Sequence, residues 1–216
     1  MVRVLVADDH AAVRQGLALV LNRAEDVEVV GEAADGESAV RMARRLRPDV
    51  VLMDVRMPGG GIEATRILVR EEVCQVLILT TFDLDEYVYD ALQAGAAGFL
   101  IKSVEAAQLV EAVRAVARGD GVLAPEVTRR VISRFARTAP RPESGAEPAP
   151  RGLDGLTERE RDVLACLGEG LSNQQIARRL YISETTVKSH VSHILTKLGL
   201  RSRVQAAILV REHDGG

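Results

Sequence analysis

Cysteine is nearly absent from this sequence of 216 residues; Cys74 and Cys166 are the only two. They lie far apart and match no metal-ligand or redox spacing, which excludes a disulfide-stapled scaffold and a thiolate metal site. Both read as buried thiols in a reducing compartment. Long apolar runs are missing too: none approaches the roughly 20 residues of a membrane span. The stretch Met1-Val2-Arg3-Val4-Leu5-Val6-Ala7 meets Asp8 and Asp9 too soon for a secretory signal. The expectation is a cytoplasmic protein with no membrane partner. No internal repeat is visible, and the formal net charge is only −3. What is present, 47% hydrophobic residues over 216 positions, suffices for one large or two small globular domains.

The small net charge hides a change of sign. Residues 1–122 carry 13 Lys and Arg against 20 Asp and Glu; residues 123–150 carry 5 against 3, and residues 151–216 carry 10 against 8. Such a shift suggests two bodies with different partners. The boundary is legible at 138–152, where Pro140, Pro142, Pro148 and Pro150 fall among Ser, Gly, Ala and Glu. This is a polar linker with some extended stiffness. The expected division is 1–120, a linker helix and Pro-rich linker over 121–151, and 152–216, with the linker helix at 125–135.

Within the first body, strand-type runs alternate with helical patterns. The strands are 2–7, 27–30, 50–53, 76–79 and 98–101; the helical patterns follow each one. Val50-Val51-Leu52-Met53 is apolar throughout, as a strand buried on both faces should be. It runs straight into Asp54. An Asp after a strand is ordinarily a loop or cap residue. Its company changes the weighting: Asp8-Asp9 follow the first strand, Thr80 follows the fourth, and Lys102 follows the fifth. In an open parallel sheet these carboxyl ends form the ligand site. Three carboxylates there repel unless a cation sits among them. Mg2+ is a hard cation that takes one or two carboxylates and keeps waters for phosphate. A carboxylate beside it can attack a phosphoryl group. Lys102 would offer fixed positive charge to the phosphoryl oxygens and Thr80 a hydroxyl. The alternative is that Lys102 merely ties the strand ends together. His10 has no second His nearby and reads as a polar residue at the rim.

Residues 1–120 resemble a bacterial response-regulator receiver domain. The resemblance rests on Ala7-Asp8-Asp9-His10, Leu52-Met53-Asp54-Val55-Arg56-Met57-Pro58, Leu79-Thr80-Thr81 and the run from Ala94 to Lys102. It implies a flavodoxin-like, doubly wound, five-stranded parallel sheet of order 2-1-3-4-5. It implies Asp54 as phosphoacceptor, with Asp8, Asp9, Asp54 and the Arg56 carbonyl as the Mg2+ pocket. Thr80 and Phe99 would be the coupled switch pair. One departure is visible: Met57-Pro58-Gly59-Gly60-Gly61 is one residue shorter than the family's loop and ends in three glycines. The acceptor and metal residues stay in place; the order of the loop is left open.

The second body shows helix starts in quick succession: Thr157 with Glu160, Ser172 with Gln175, Ser183, and Ser202 with Gln205. Gly170 and Gly199 fall where helices should stop. A small all-α helix-turn-helix domain is expected. On the helix after Ser183, Val187, Val191, Ile194, Leu195 and Leu198 share one face, and Thr185, Lys188, Ser189, Ser192 and Thr196 the other. That outer face carries no carboxylate beyond Glu184, as a helix in a major groove requires. A solvated bundle face fits the same pattern equally well. The runs Leu156-Thr157-Glu158-Arg159-Glu160, 170–177, 186–191 and Lys197-Leu198-Gly199 resemble a LuxR-type DNA-binding domain, and the whole chain resembles the NarL/FixJ response regulators. The resemblance implies double-stranded promoter DNA, a sensor histidine kinase and an activated homodimer as partners. It places Thr185, Thr186, Lys188, Ser189 and Ser192 at the DNA, and makes the last helix the dimer contact. Arg201 and Arg203, at a helix N-terminus, suit phosphate contact. His190 and His193 read as packing and backbone contacts. An aspartyl-phosphate phosphatase is disfavoured because Arg56 stands where a second Asp would serve as acid and base. A phosphorylation-independent DNA binder has only the glycine loop in its favour.

Overall fold

The computed structural model describes residues 1–80, 85–123 and 153–214. The helix expected over 125–135 and the linker 138–152 lie outside these. The chain divides into two compact units, 1–127 and 128–216.

The first unit alternates β1 (Val2–Ala7), α1 (Ala11–Leu21), β2 (Val27–Ala33), α2 (Gly36–Leu46), β3 (Val50–Met53), α3 (Gly61–Arg70), β4 (Gln75–Thr80), α4 (Asp85–Ala94), β5 (Gly98–Ile101) and α5 (Ala106–Ala117). All pairings are parallel, and the expected order 2-1-3-4-5 is present. A two-residue β6 (Val122–Leu123) extends it beyond β5, in a stretch read from sequence as the start of the linker. The residues of β3 are 0–1% exposed, as their unbroken apolar run demands. On one sheet face Val4, Val6, Leu52, Leu77 and Leu79 pack with Leu21 of α1 and Leu109, Val113 and Val116 of α5. Helices α2, α3 and α4 pack side by side.

The second unit holds α6 (Glu158–Gly168), α7 (Asn173–Leu180), α8 (Glu184–Leu198) and α9 (Arg203–Asp214). Capping boxes close the starts of α6 (Thr157, Glu160) and α7 (Ser172, Gln175), and the Ser183 hydroxyl accepts from the Thr186 N–H at the start of α8. At α9 the Gln205 N–H donates to the Ser202 hydroxyl (3.4 Å), and the Gln205 side-chain oxygen accepts from the Arg201 N–H (2.7 Å). Val163, Leu167, Ile176, Val187, Ile194 and Ala206 form the core.

Candidate functional site

Neighbouring strands lie about 4.8 Å apart, and β1, β3, β4 and β5 are consecutive in the sheet. Their carboxyl ends therefore line up. The ladder carries on into the site: Asp8 N–H donates to the Ala33 carbonyl (3.1 Å), Asp54 N–H to Ala7 (2.8 Å) and Lys102 N–H to Thr80 (2.6 Å). Asp8, Asp54 and Thr80 are only 1%, 4% and 2% exposed. The Lys102 ammonium bridges the two acids, 2.7 Å from Asp8 Oδ2 and 3.1 Å from Asp54 Oδ1. Asp9 is partly exposed, and its Oδ1 lies 2.6 Å from His10 Nδ1. The His10 N–H donates to Asp8 Oδ1 (2.9 Å), and Arg14 donates to the Asp8 carbonyl (2.7 Å).

Burial, together with the charges of Asp8 and Asp9, lifts the Asp54 carboxyl above its ordinary pKa, although the Lys102 hydrogen bond and charge oppose this. Burial works against the Lys102 ammonium, but hydrogen bonds and charge from Asp8 and Asp54 outweigh it and hold its pKa above the usual value. Three carboxylates against one ammonium leave the pocket short of positive charge.

Two oxygens show what could supply it. Asp8 Oδ2 is buried and accepts no hydrogen bond of regular geometry, its close partner being the Lys102 ion pair. In the β3–α3 loop the Val55 carbonyl accepts from Gly61 (3.3 Å), Met57 from Gly60 (3.1 Å) and Pro58 from Gly36 (2.8 Å). The Arg56 carbonyl, between them, accepts no hydrogen bond from the described residues. A buried carboxylate oxygen with a second carboxylate beside it offers hard oxygens of the kind that fits Mg2+, and the Arg56 carbonyl in the adjoining loop is left unclaimed. Donor atoms of Asp8, Asp9 and His10 lie within 4.8 Å of one another; Asp54 stands outside that group and joins the pocket through Lys102. The loop whose order the sequence left open is closed by these bonds. A Cβ on Gly61 would stand 1.9 Å from the Asp54 carbonyl oxygen, so only glycine allows this approach.

In the helical unit α7 and α8 meet through a turn at Tyr181, which takes a left-handed conformation (φ 55°). Thr185, Thr186, Lys188, Ser189 and Ser192 are all exposed on α8. The Ser189 hydroxyl donates back to the Thr185 carbonyl (3.1 Å), and the Thr186 hydroxyl lies 2.8 Å from that of Ser183. Lys188 makes no ion pair with the described residues. Arg201 is exposed. Arg203 is half-buried and committed, donating to the Asn173 side chain (2.9 Å) and the Leu171 carbonyl (2.6 Å). It braces α9 against the start of α7. His190 is half-buried, but His193 is exposed. The expected packing role fails for His193, because it lies two residues beyond Val191 and so falls on the outer face.

The pattern of the response regulator receiver domain matches residues 4–114, and that of the luxR family of bacterial regulatory proteins matches 154–210. The transcriptional regulatory protein LnrK of Bacillus subtilis is 42% identical over 96% of both chains. The chain belongs to the NarL/FixJ family of response regulators. It is a two-component transcriptional regulator with a receiver and a LuxR-type DNA-binding domain. The crystal structure of the response regulator ChrA, from a heme-sensing two-component system, shares 38% identity over 99% of this chain and 98% of that one, with a TM-score of 0.55. RcsB, solved as two dimers bound to two parallel DNAs, is 25% identical over 95% and 96%, with a TM-score of 0.55.

In this regulator the structure brings Asp8, Asp54 and Lys102 into direct contact, with Thr80 at the neighbouring strand end and Phe99 1% exposed on β5. Sequence reasoning missed Arg14 and the Glu160–Lys197 pair. Lys197 Nζ lies 2.6 Å from Glu160 Oε2, tying the end of α8 to the start of α6. That pair, with the Thr157 N–H, pulls the Glu160 carboxyl down to about 2. Glu160 also serves the cap of α6, and one residue in two roles leaves a single signal in the sequence.

Proposed function

We propose that Asp54 is the phosphoacceptor of this regulator and that its phosphorylation, by a sensor histidine kinase with Mg2+, controls promoter binding. The observation that carries this is the Lys102 ammonium bridging two buried carboxylates at adjacent strand ends. Lys102 holds Asp54 Oδ1, which leaves Oδ2 as the nucleophile. Oδ2 forms a bond to phosphorus as the bond from phosphorus to the donor's leaving group breaks. Lys102 and the Thr80 hydroxyl then take phosphoryl oxygens. Asp8, Asp9, Asp54 and the Arg56 carbonyl would hold Mg2+, which when bound neutralises charge on the transferring group.

The added negative charge biases Thr80 and Phe99, and the receiver then favours a homodimer. Two α8 helices engage paired half-sites of double-stranded DNA. Lys188, Ser189 and Ser192 reach base edges; Thr185, Thr186 and Arg201 contact the backbone. Arg203, at the start of α9, would add positive charge toward the same DNA backbone. The receiver runs from residue 1 through β6 at 123, the linker follows to 151, and the DNA-binding domain occupies 152–216. None of the described helices is long and apolar enough to cross a membrane, in keeping with a cytoplasmic site of action. Acetyl phosphate with Mg2+ should yield one phosphoryl adduct by intact mass and tighten promoter binding. Asp54→Ala should lose both. An adduct on Asp54→Ala, or promoter affinity indifferent to labelling, would refute the assignment.

A further inference from the structure

The β3–α3 loop is fastened from outside by α2, an element that contributes no side chain to the acid pocket. The Gly36 N–H, in the first turn of α2, donates to the Pro58 carbonyl at 2.8 Å. A Cβ on Gly36 would stand 2.8 Å from the Gly59 carbonyl oxygen and 3.1 Å from that of Gly60. Ordinary C···O approaches are about 3.3 Å or longer. Both obstacles are backbone, so no side chain can rotate away and one element must shift. The turn of α2 is itself held by a capping box: Ser38 N–H donates to Asp35 Oδ1 (2.7 Å) and Asp35 N–H to Ser38 Oγ (3.3 Å). The loop is the part that yields. It is also the part that carries the Arg56 carbonyl, whose direction follows from how its neighbours at 55, 57 and 58 are pinned.

We infer that Gly36 is a positioning residue for the cation pocket. By holding Pro58 and Gly59, it sets the direction of the Arg56 carbonyl. The inference rests on the Mg2+-dependent reading of that pocket. Gly36 does not adopt a left-handed backbone conformation, so alanine there suits the helix, and contact with the loop is the whole effect of the added methyl.

The test uses the full-length protein, Gly36→Ala, and Gly16→Ala as control; Gly16 lies exposed on α1, where a Cβ meets nothing within 4 Å. Calorimetric titration gives the Mg2+ dissociation constant. Acetyl phosphate labelling over a Mg2+ series gives the concentration for half-maximal labelling, and melting in EDTA gives stability without the cation. Gly36→Ala should weaken Mg2+ by about tenfold, the size of loss seen when residues supporting metal ligands are removed. Half-maximal labelling should move by the same factor, with labelling restored at saturating Mg2+ and Gly16→Ala indistinguishable from wild type. A lowered melting temperature with an unchanged Mg2+ constant would make Gly36 merely structural and overturn the inference. If Gly36→Ala does not fold, Ser38→Ala loosens the same turn without adding an atom against the loop; it should weaken Mg2+ to a smaller degree, and an unchanged constant overturns the inference. Wild-type protein that neither binds Mg2+ nor takes a phosphoryl group would instead sink the function proposed above. If the wild type does both and Gly36→Ala matches it, only the role of Gly36 falls.

Discussion

Lys102→Met removes the ammonium that sits 2.7 Å from Asp8 Oδ2 and 3.1 Å from Asp54 Oδ1 while keeping most of the side chain's length. Two carboxylates, 1% and 4% exposed, then face each other without it. Removing one partner of a buried ion pair costs roughly 3–5 kcal/mol. The Lys102 side chain is 18% exposed, so the lower end, about 3 kcal/mol, applies at pH 8 in EDTA. For a receiver of this size that is roughly 10 °C in the melting temperature. The loss should depend on pH. The Asp54 carboxyl already titrates above its ordinary value, burial being the largest cause. A carboxyl with a raised folded-state pKa costs stability above that pKa, and the cost is relieved as pH falls toward the unfolded value. Without Lys102 the pKa rises further, so the deficit should shrink between pH 8 and pH 5. Mg2+ should also reduce it; at a hundred times its dissociation constant a ligand contributes about 2.7 kcal/mol. Calorimetry of the receiver transition at both pH values, with EDTA and with Mg2+, reads all of this. An equal deficit at both pH values and no recovery with Mg2+ would refute the electrostatic account.

Gly61→Ala forces a Cβ to within 1.9 Å of the Asp54 carbonyl oxygen; it should destabilise the receiver by about 3 kcal/mol or more in urea unfolding, whereas a loss below about 1 kcal/mol would refute the close approach of Gly61 to β3. The Glu160 carboxyl, held at about 2 chiefly by Lys197, contributes stability above its unfolded value of 4.5 that is lost as pH falls through 2; Glu160→Gln should flatten this acid dependence in the helical domain's melting, and an unchanged profile would discount the pair. Lys188→Ala should weaken promoter binding and relax the preference at one base while leaving the slope of log K against log salt near that of the wild type, because Lys188 reaches a base edge. A slope reduced by about one with the base preference intact would place Lys188 at phosphate instead.

The parallel sheet was legible because β3 is apolar at every position and because acidic, hydroxyl and ammonium side chains recur at the carboxyl ends of the strand-type runs. Those same ends located Asp8, Asp54, Thr80 and Lys102, since a parallel sheet has one place for them to converge. Caps at Thr157, Ser172 and Ser183 were legible because they use local bonds at a fixed spacing of three. The Gly36–Pro58 contact was not, because it joins backbone atoms far apart in sequence and leaves no residue-type signal beyond a glycine. Arg203 was assigned to phosphate from its position at a helix start; its bonds to Asn173 and Leu171 depend on how α9 lies against α7, which periodicity does not encode. Two-residue β6 is too short to show a pattern at all. The glycine loop, the one feature that favoured a phosphorylation-independent regulator, is tied by three backbone bonds and no longer argues for it.

Where a signal leaves the pocket follows from which side of it can move. Asp8 and Asp54 extend β1 and β3, each flanked by strands on both sides, and both are bonded into the ladder. Lys102 follows β5, whose outer neighbour is only the two-residue β6. A phosphoryl group on Asp54 would pull Lys102 off the carboxylates toward the new oxygens. The Lys102 N–H is bonded to the Thr80 carbonyl at 2.6 Å, so its shift is felt at the end of β4, and Phe99 lies on β5 itself, paired with Ile78 of β4. The β4–β5 side, not the β1–β3 side, should therefore rearrange. Hydrogen exchange on the labelled protein should change first at the ends of β4 and β5 and in α4, with β1 and β3 amides as protected as before. Changes centred on β1 and β3 would mean that the acids, not the lysine, yield to the added charge.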